Sequence, residues 1–83
     1  MRTCPLCRLE HKTAWHYEGV LFIIVDCLRC GIPMWVQRPH GILPHPSIKK
    51  SARHMCRRLF GENIRFSGPE TILEHYHEHV HLP

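Results

Sequence analysis

Cys4-Pro-Leu-Cys7 and Cys27-Leu-Arg-Cys30 place two Cys-x-x-Cys pairs nineteen residues apart. One pair alone could serve as a redox dithiol. Two pairs supply four thiolates, the full tetrahedral ligand set of a closed structural zinc site. Two intervening residues let the backbone wrap a metal so that both sulfurs of a pair reach it from one tight turn. The nineteen residues between the pairs leave room for a β-hairpin that returns the second pair to the first. Near the C-terminus, His75-Tyr-His-Glu-His-Val-His81 sets four of nine histidines at alternate positions. On a helix, His75 and His79 would lie one turn apart, as would His77 and His81, and two imidazoles so spaced can chelate a transition metal. On a strand all four would face one way as an open row.

A third group is cationic. Lys49, Lys50, Arg53, His54, Arg57 and Arg58 fall between Ser47 and Gly61 with no acidic residue among them. Arg57 and Arg58 have a local explanation, because cations in a last helical turn favour the helix dipole. Lys49 and Lys50 sit at the wrong end for that. Lys49, Lys50, Arg53, Arg57 and Arg58 are therefore the candidate polyanion-binding residues. The formal charge of +4 assumes protonated cysteines. Binding a divalent ion through four thiolates lowers it by two, so a nucleic-acid argument rests on where the cations lie rather than on their sum.

The elements that must position these groups follow from pattern. Ala14 to Tyr17 reads as a strand, Glu18-Gly19 as a turn, and Val20 to Val25 as a return strand rich in β-branched and aromatic residues. Gly31 supplies the positive φ that a metal knuckle commonly needs. Pro33 to Gln37 reads as a third strand. Arg38 to Pro46 carries three prolines and a glycine, so it is a connector without regular structure. Ser47 is the expected N-cap of a helix ending at Gly61, with Ile48, Ala52, Met55, Leu59 and Phe60 as its apolar stripe and Cys56 as a core thiol on the margin. Asn63 to Phe66 reads as a short strand. Ser67-Gly-Pro-Glu70 fits a capping box, and Ile72, Leu73, Tyr76 and Val80 share one side of a helical wheel. That predicts a second helix over 69–81.

Residues 1–38, and Cys27-Leu-Arg-Cys30-Gly31 in particular, resemble a zinc ribbon and the knuckle that ribbons share with rubredoxins. The resemblance implies a Cys4 metal site and little about function, since ribbons serve in many settings. Tetrahedral sulfur suits iron as well as zinc. The flank Arg8-Leu-Glu-His-Lys12 lacks the aromatic and glycine residues beside a rubredoxin's first pair, so zinc is the expected metal. His77-Glu-His-Val-His-Leu-Pro83 resembles the signature of the histidine-triad nucleotide hydrolases and transferases, with Glu78 where that family has an apolar residue. The resemblance implies His79 as the middle, nucleophilic imidazole. The expected fold puts this motif on a helix, whereas the family carries it on a large sheet.

At 83 residues the chain is one domain, near the size at which an apolar core alone stabilises a fold by ~3–5 kcal/mol. No stretch nears the ~20 apolar residues of a membrane span, and no secretory signal is expected. Metal-spaced cysteines with an odd fifth one fit a reducing, cytoplasmic compartment. The expected architecture is α+β: a three-stranded antiparallel zinc ribbon (1–38) followed by two α-helices (47–83). Its expected core includes Trp15, Phe22, Ile24, Trp35, Met55, Leu59, Phe60, Ile72, Leu73 and Tyr76. The favoured function is a non-enzymatic module that offers the cationic helix to nucleic acid or an acidic protein. The alternative is that His75, His77, His79 and His81 build a second metal site or a nucleotide-handling site. A pocket of converging imidazoles would favour the alternative.

Overall fold

The computed structural model describes residues 14–27, 31–68 and 75–83. The chain runs through β1 (Trp15–Glu18), β2 (Phe22–Asp26), β3 (Pro33–Gln37), α1 (Pro46–Phe60), β4 (Arg65–Ser67) and β5 (His77–His81). These strands form one sheet in the order β1-β2-β3-β5-β4, with every neighbouring pair antiparallel. The two expected halves therefore share a single sheet.

The expectation of two helices after three strands is overturned. Among the described residues there is one helix, and 77–81, read as the end of a helix over 69–81, is a strand between β3 and β4. The reason lies in the spacing. Tyr76 and Val80 are four residues apart, which returns to the same side of a helix and also to the same face of a strand. Glu78 decides it, because as a strand residue it joins Tyr76 and Val80 on the face toward α1, where Arg53 neutralises it. Ile72, Leu73 and Glu70 of the expected helix lie outside the described residues. Ser67, expected as its cap, ends β4 and shares a hydrogen bond with the imidazole of His81 instead.

β2 and β3 are the central strands, buried on both faces, and their register runs from Phe22 opposite Gln37 to Asp26 opposite Pro33. On one face Phe22, Ile24, Trp35, Tyr76 and Val80 pack with Ile48, Ala52 and Cys56 of α1. On the other Ile23, Val25, Met34 and Val36 form a second cluster flanked by Trp15 and Cys27. β1 pairs with β2 across an irregularity between Trp15 and Tyr17. Val20 and Leu21, expected in β2, lie in the turn and are exposed.

α1 starts one residue before the expected cap. His45 holds the N-cap position without a side-chain bond and Pro46 opens the first turn, where its missing N–H costs nothing. Gly61 stops the helix at φ 108, and its N–H donates to the Arg57 carbonyl. Ile48, Ala52 and Cys56 form the buried stripe, one turn apart. Leu59, expected in the core, is 45% exposed in the last turn of the helix, although it falls on the same side as Ile48 and Ala52.

Candidate functional site

β5 alternates strictly. Tyr76, Glu78 and Val80 face α1, while His77 and His79 pair in register with Val36 and Met34 on the opposite face. His75, just before the strand, forms a parallel bridge with Gly41. The four imidazoles thus follow the open-row arrangement, not the two one-turn pairs of a helix. The row grades from core to surface: His75 is 0% exposed, His77 3%, His79 8%, and His81 is exposed. The rings of His77 and His79 meet edge to face at 5.4 Å.

Hydrogen bonds fix two of the tautomers. His77 Nδ1 lies 2.9 Å from the His75 carbonyl oxygen. A carbonyl only accepts, so Nδ1 carries the proton, and in the neutral ring Nε2 keeps the lone pair. His75 makes the opposite choice, donating from Nε2 to the Gln37 carbonyl. Burial pushes the His75 pKa below the ordinary 6.5, and the neighbouring His40 and His77 push the same way, against the Gln37 bond that favours the charged ring.

The connector after β3 joins this site. Gln37 is fully buried. Its side chain donates from Nε2 to the Leu43 carbonyl (3.2 Å) and accepts at Oε1 from the His45 N–H (3.2 Å), while Tyr76 N–H donates to the Gly41 carbonyl (2.7 Å). These bonds hold the loop against the start of β5 and set the His40 ring edge-on to His75 at 5.2 Å. At the outer end, Ser67 Oγ lies 2.8 Å from His81 Nε2. His40, Gln37 and Ser67 carried no motif. The one available signal was a Pro/Gly connector directly after a central strand, since loops on rigid scaffolds often carry function.

The reverse face of β5 holds a charged cluster that sequence reasoning missed. Glu78, 3% exposed, accepts from Trp35 Nε1 (2.8 Å), Arg53 Nε (2.8 Å), Arg53 Nη2 (2.6 Å) and Tyr76 OH (3.1 Å). Burial alone would raise its pKa. The hydrogen bonds from Arg53, Trp35 and Tyr76 and the Arg53 charge more than offset this and hold the carboxyl below the ordinary 4.5. Lys49 Nζ stands 4.0 Å from the same carboxylate and over the Tyr76 ring.

This divides the expected polyanion-binding set. Lys49 and Arg53 turn toward Glu78. Arg57 lies over the Phe66 ring at 5.5 Å, beside Arg53 at 4.9 Å. Lys50 and Arg58 are exposed. Cys56 is fully buried in the core, and desolvation, the largest influence, pushes its thiol up to about 12.

Of the expected zinc ligands, Cys27 is half-buried at the end of β2; Cys4, Cys7 and Cys30 lie outside the described residues. The visible corner fits a thiolate-bound ion. Cys27 N–H donates to the Ile32 carbonyl (2.8 Å), Gly31 N–H donates to the Cys27 carbonyl (2.9 Å), and Gly31 takes the positive φ expected of it, 74. Among the described residues no three His, Cys, Asp or Glu side chains are placed to hold a metal ion. No described helix is long and apolar enough to cross a membrane. Comparison with known protein families, curated proteins and solved structures returns no match.

Proposed function

We propose that the protein is a small enzyme of the histidine-nucleophile type, acting on a phosphoryl or nucleotidyl group through the row His75, His77, His79 and His81. The observation that carries this reading is the His77 Nδ1–H bond to the His75 carbonyl, which leaves Nε2 as a directed lone pair. The triad resemblance, framed on sequence, makes His79 the middle residue. The hydrogen bond favours His77, two residues earlier, with His75 and His79 on either side. Nε2 of His77 attacks phosphorus, the bond to the leaving group breaks with its electron pair, and a protonated His79 supplies the proton. Water then attacks phosphorus, giving its proton to the now neutral His79, and the N–P bond breaks with its electron pair returning to His77 Nε2, so both imidazoles regain their starting states. The substrate enters from the His81 end, where the row meets solvent and Ser67 stands beside it.

Zinc at Cys4, Cys7, Cys27 and Cys30 has a structural role in this reading, stabilising a small fold, and the thiolates imply a reducing, cytoplasmic compartment. A second reading keeps a nucleic-acid or acidic protein partner on α1. It is supported by Arg57, Arg58 and Lys50, for which no carboxylate partner is found among the described residues, and it no longer counts Lys49 and Arg53.

Turnover of a nucleoside phosphoramidate by zinc-loaded protein tests the first reading. His77→Ala should abolish turnover and His79→Ala should lower it, both with the fold intact by NMR. No turnover by the unmutated protein, or full activity in His77→Ala, would overturn it.

A further inference from the structure

The pattern His-Glu-His-Val-His specifies its register poorly by hydrophobicity. A slip of one residue would exchange the faces of β5 and turn the imidazoles toward α1. Imidazole is amphipathic, so hydrophobic burial discriminates little between His and Glu on either face. Among the described residues of this segment, Tyr76 and Val80 are the apolar ones on the α1 side. Glu78 supplies the missing discrimination. Its register partner on β3 is Trp35, and the Trp35 indole donates to Glu78 Oε1, so the side-chain bond spans the same residue pair as the backbone ladder. Arg53 grips both carboxylate oxygens from α1. A one-residue slip would place a carboxylate among Met34, Val36 and Val25 and leave the Arg53 guanidinium without its partner.

We infer that Glu78 is a positioning residue. Through Trp35 and Arg53 it sets the register of β5 and so holds His77 Nδ1 on the His75 carbonyl, with Nε2 presented for reaction. This rests on the histidine-nucleophile reading for its catalytic meaning, but the geometry can be tested without it. Glu78 does not touch the reacting atoms, because it points to the other face.

The test compares zinc-loaded wild-type protein with Glu78→Gln and, in case that variant does not fold, Trp35→Phe, which removes one donor and leaves the ion pair. The first readout is the tautomer of His77 at neutral pH from long-range nitrogen–proton NMR correlations. Wild type should show the Nδ1–H form. The variants should shift His77 toward the Nε2–H form while melting cooperatively, an effect that loss of stability alone would not produce. The second readout is phosphoramidate turnover, where kcat should fall about ten- to a hundredfold with KM changed less than about twofold. Variants that melt cooperatively yet keep the Nδ1–H form overturn the inference. So does a wild-type His77 without that form. If wild type shows the tautomer and no turnover, the proposed function fails while the variants' tautomers still decide the role of Glu78.

Discussion

Arg53→Met removes the strongest partner of a buried carboxylate and leaves Glu78, 3% exposed, with Trp35 and Tyr76 as donors and Lys49 at 4.0 Å. Removing one member of a buried ion pair costs about 3–5 kcal/mol, because the other charge stays desolvated. Two features lower that figure. The Arg53 side chain is 33% exposed, so solvent screens part of its attraction, and Lys49 is close enough to move in. The expected loss is about 2–3 kcal/mol, which in a chain of this size lowers Tm by about 10–20 °C. The assay is thermal unfolding by far-UV circular dichroism near neutral pH, with zinc and reductant held constant. Adding Glu78→Met to Arg53→Met should recover at least half of the loss, since a matched apolar pair leaves no uncompensated charge. High salt should lower the wild-type Tm only slightly, because the carboxylate side of the pair is buried even though Arg53 is part-exposed. An Arg53→Met shift below about 4 °C, or a double variant as unstable as the two single losses added, would refute the reasoning.

If Cys4, Cys7, Cys27 and Cys30 hold zinc, Cys27→Ser should unfold the N-terminal strands and chelation should do the same, because site formation and folding are coupled in small zinc domains; a chelated protein that keeps its dispersed NMR spectrum would count against this. Acid should destabilise in two stages, since His75 and Glu78 both have pKa values lowered by folding and the unfolded chain takes up their protons first. Stability is complete above 6.5, declines below it as the unfolded His75 protonates, and declines again below 4.5 for Glu78; a urea midpoint that stays flat from neutral pH to 4.5 would contradict it. If α1 binds nucleic acid, replacing Lys50, Arg57 and Arg58 with Gln should weaken binding to an oligonucleotide and reduce the log–log salt slope by about 2–3 units. No shift by the unmutated protein with DNA or RNA at low salt removes that reading.

The strands β1 to β3 were legible because their residues alternate or run apolar between clear turns, and β3 begins and ends where the pattern places it. α1 was legible from the helical recurrence of Ile48, Ala52, Met55, Leu59 and Phe60 and from the Gly61 stop, although the residues actually buried are Ile48, Ala52 and the Cys56 placed on the margin. The last strand was not, for a reason specific to its residues. Tyr76 and Val80 satisfy both periods, and the residue that separates the two, Glu78, looks like a solvated carboxylate until Arg53 and Trp35 are seen around it. The pairing of Arg53 with Glu78 spans 25 residues, and no local pattern predicts it. The same blindness affected the cationic helix. Charge composition is visible in sequence, but which cations turn inward depends on a strand paired from elsewhere. The alternate histidines were conspicuous, and their alternation was the one local hint of an extended chain.

The position of β5 also bears on how the molecule folds. It is the last strand in chain order, yet it lies between β3 and β4, so Val36 must find His77 across some forty residues. Until it does, β3 has a bare edge with unpaired amides and carbonyls, and β4 has no sheet to join. Pairings of such high sequence separation are slow to form because the loop entropy is lost before the contact is gained. The hairpin β2–β3 can assemble early, while the imidazole row exists only once the sheet is complete. An open β3 edge is also a template for a second chain. In this fold the strand that carries the imidazole row is also the one that seals the β3 edge against association.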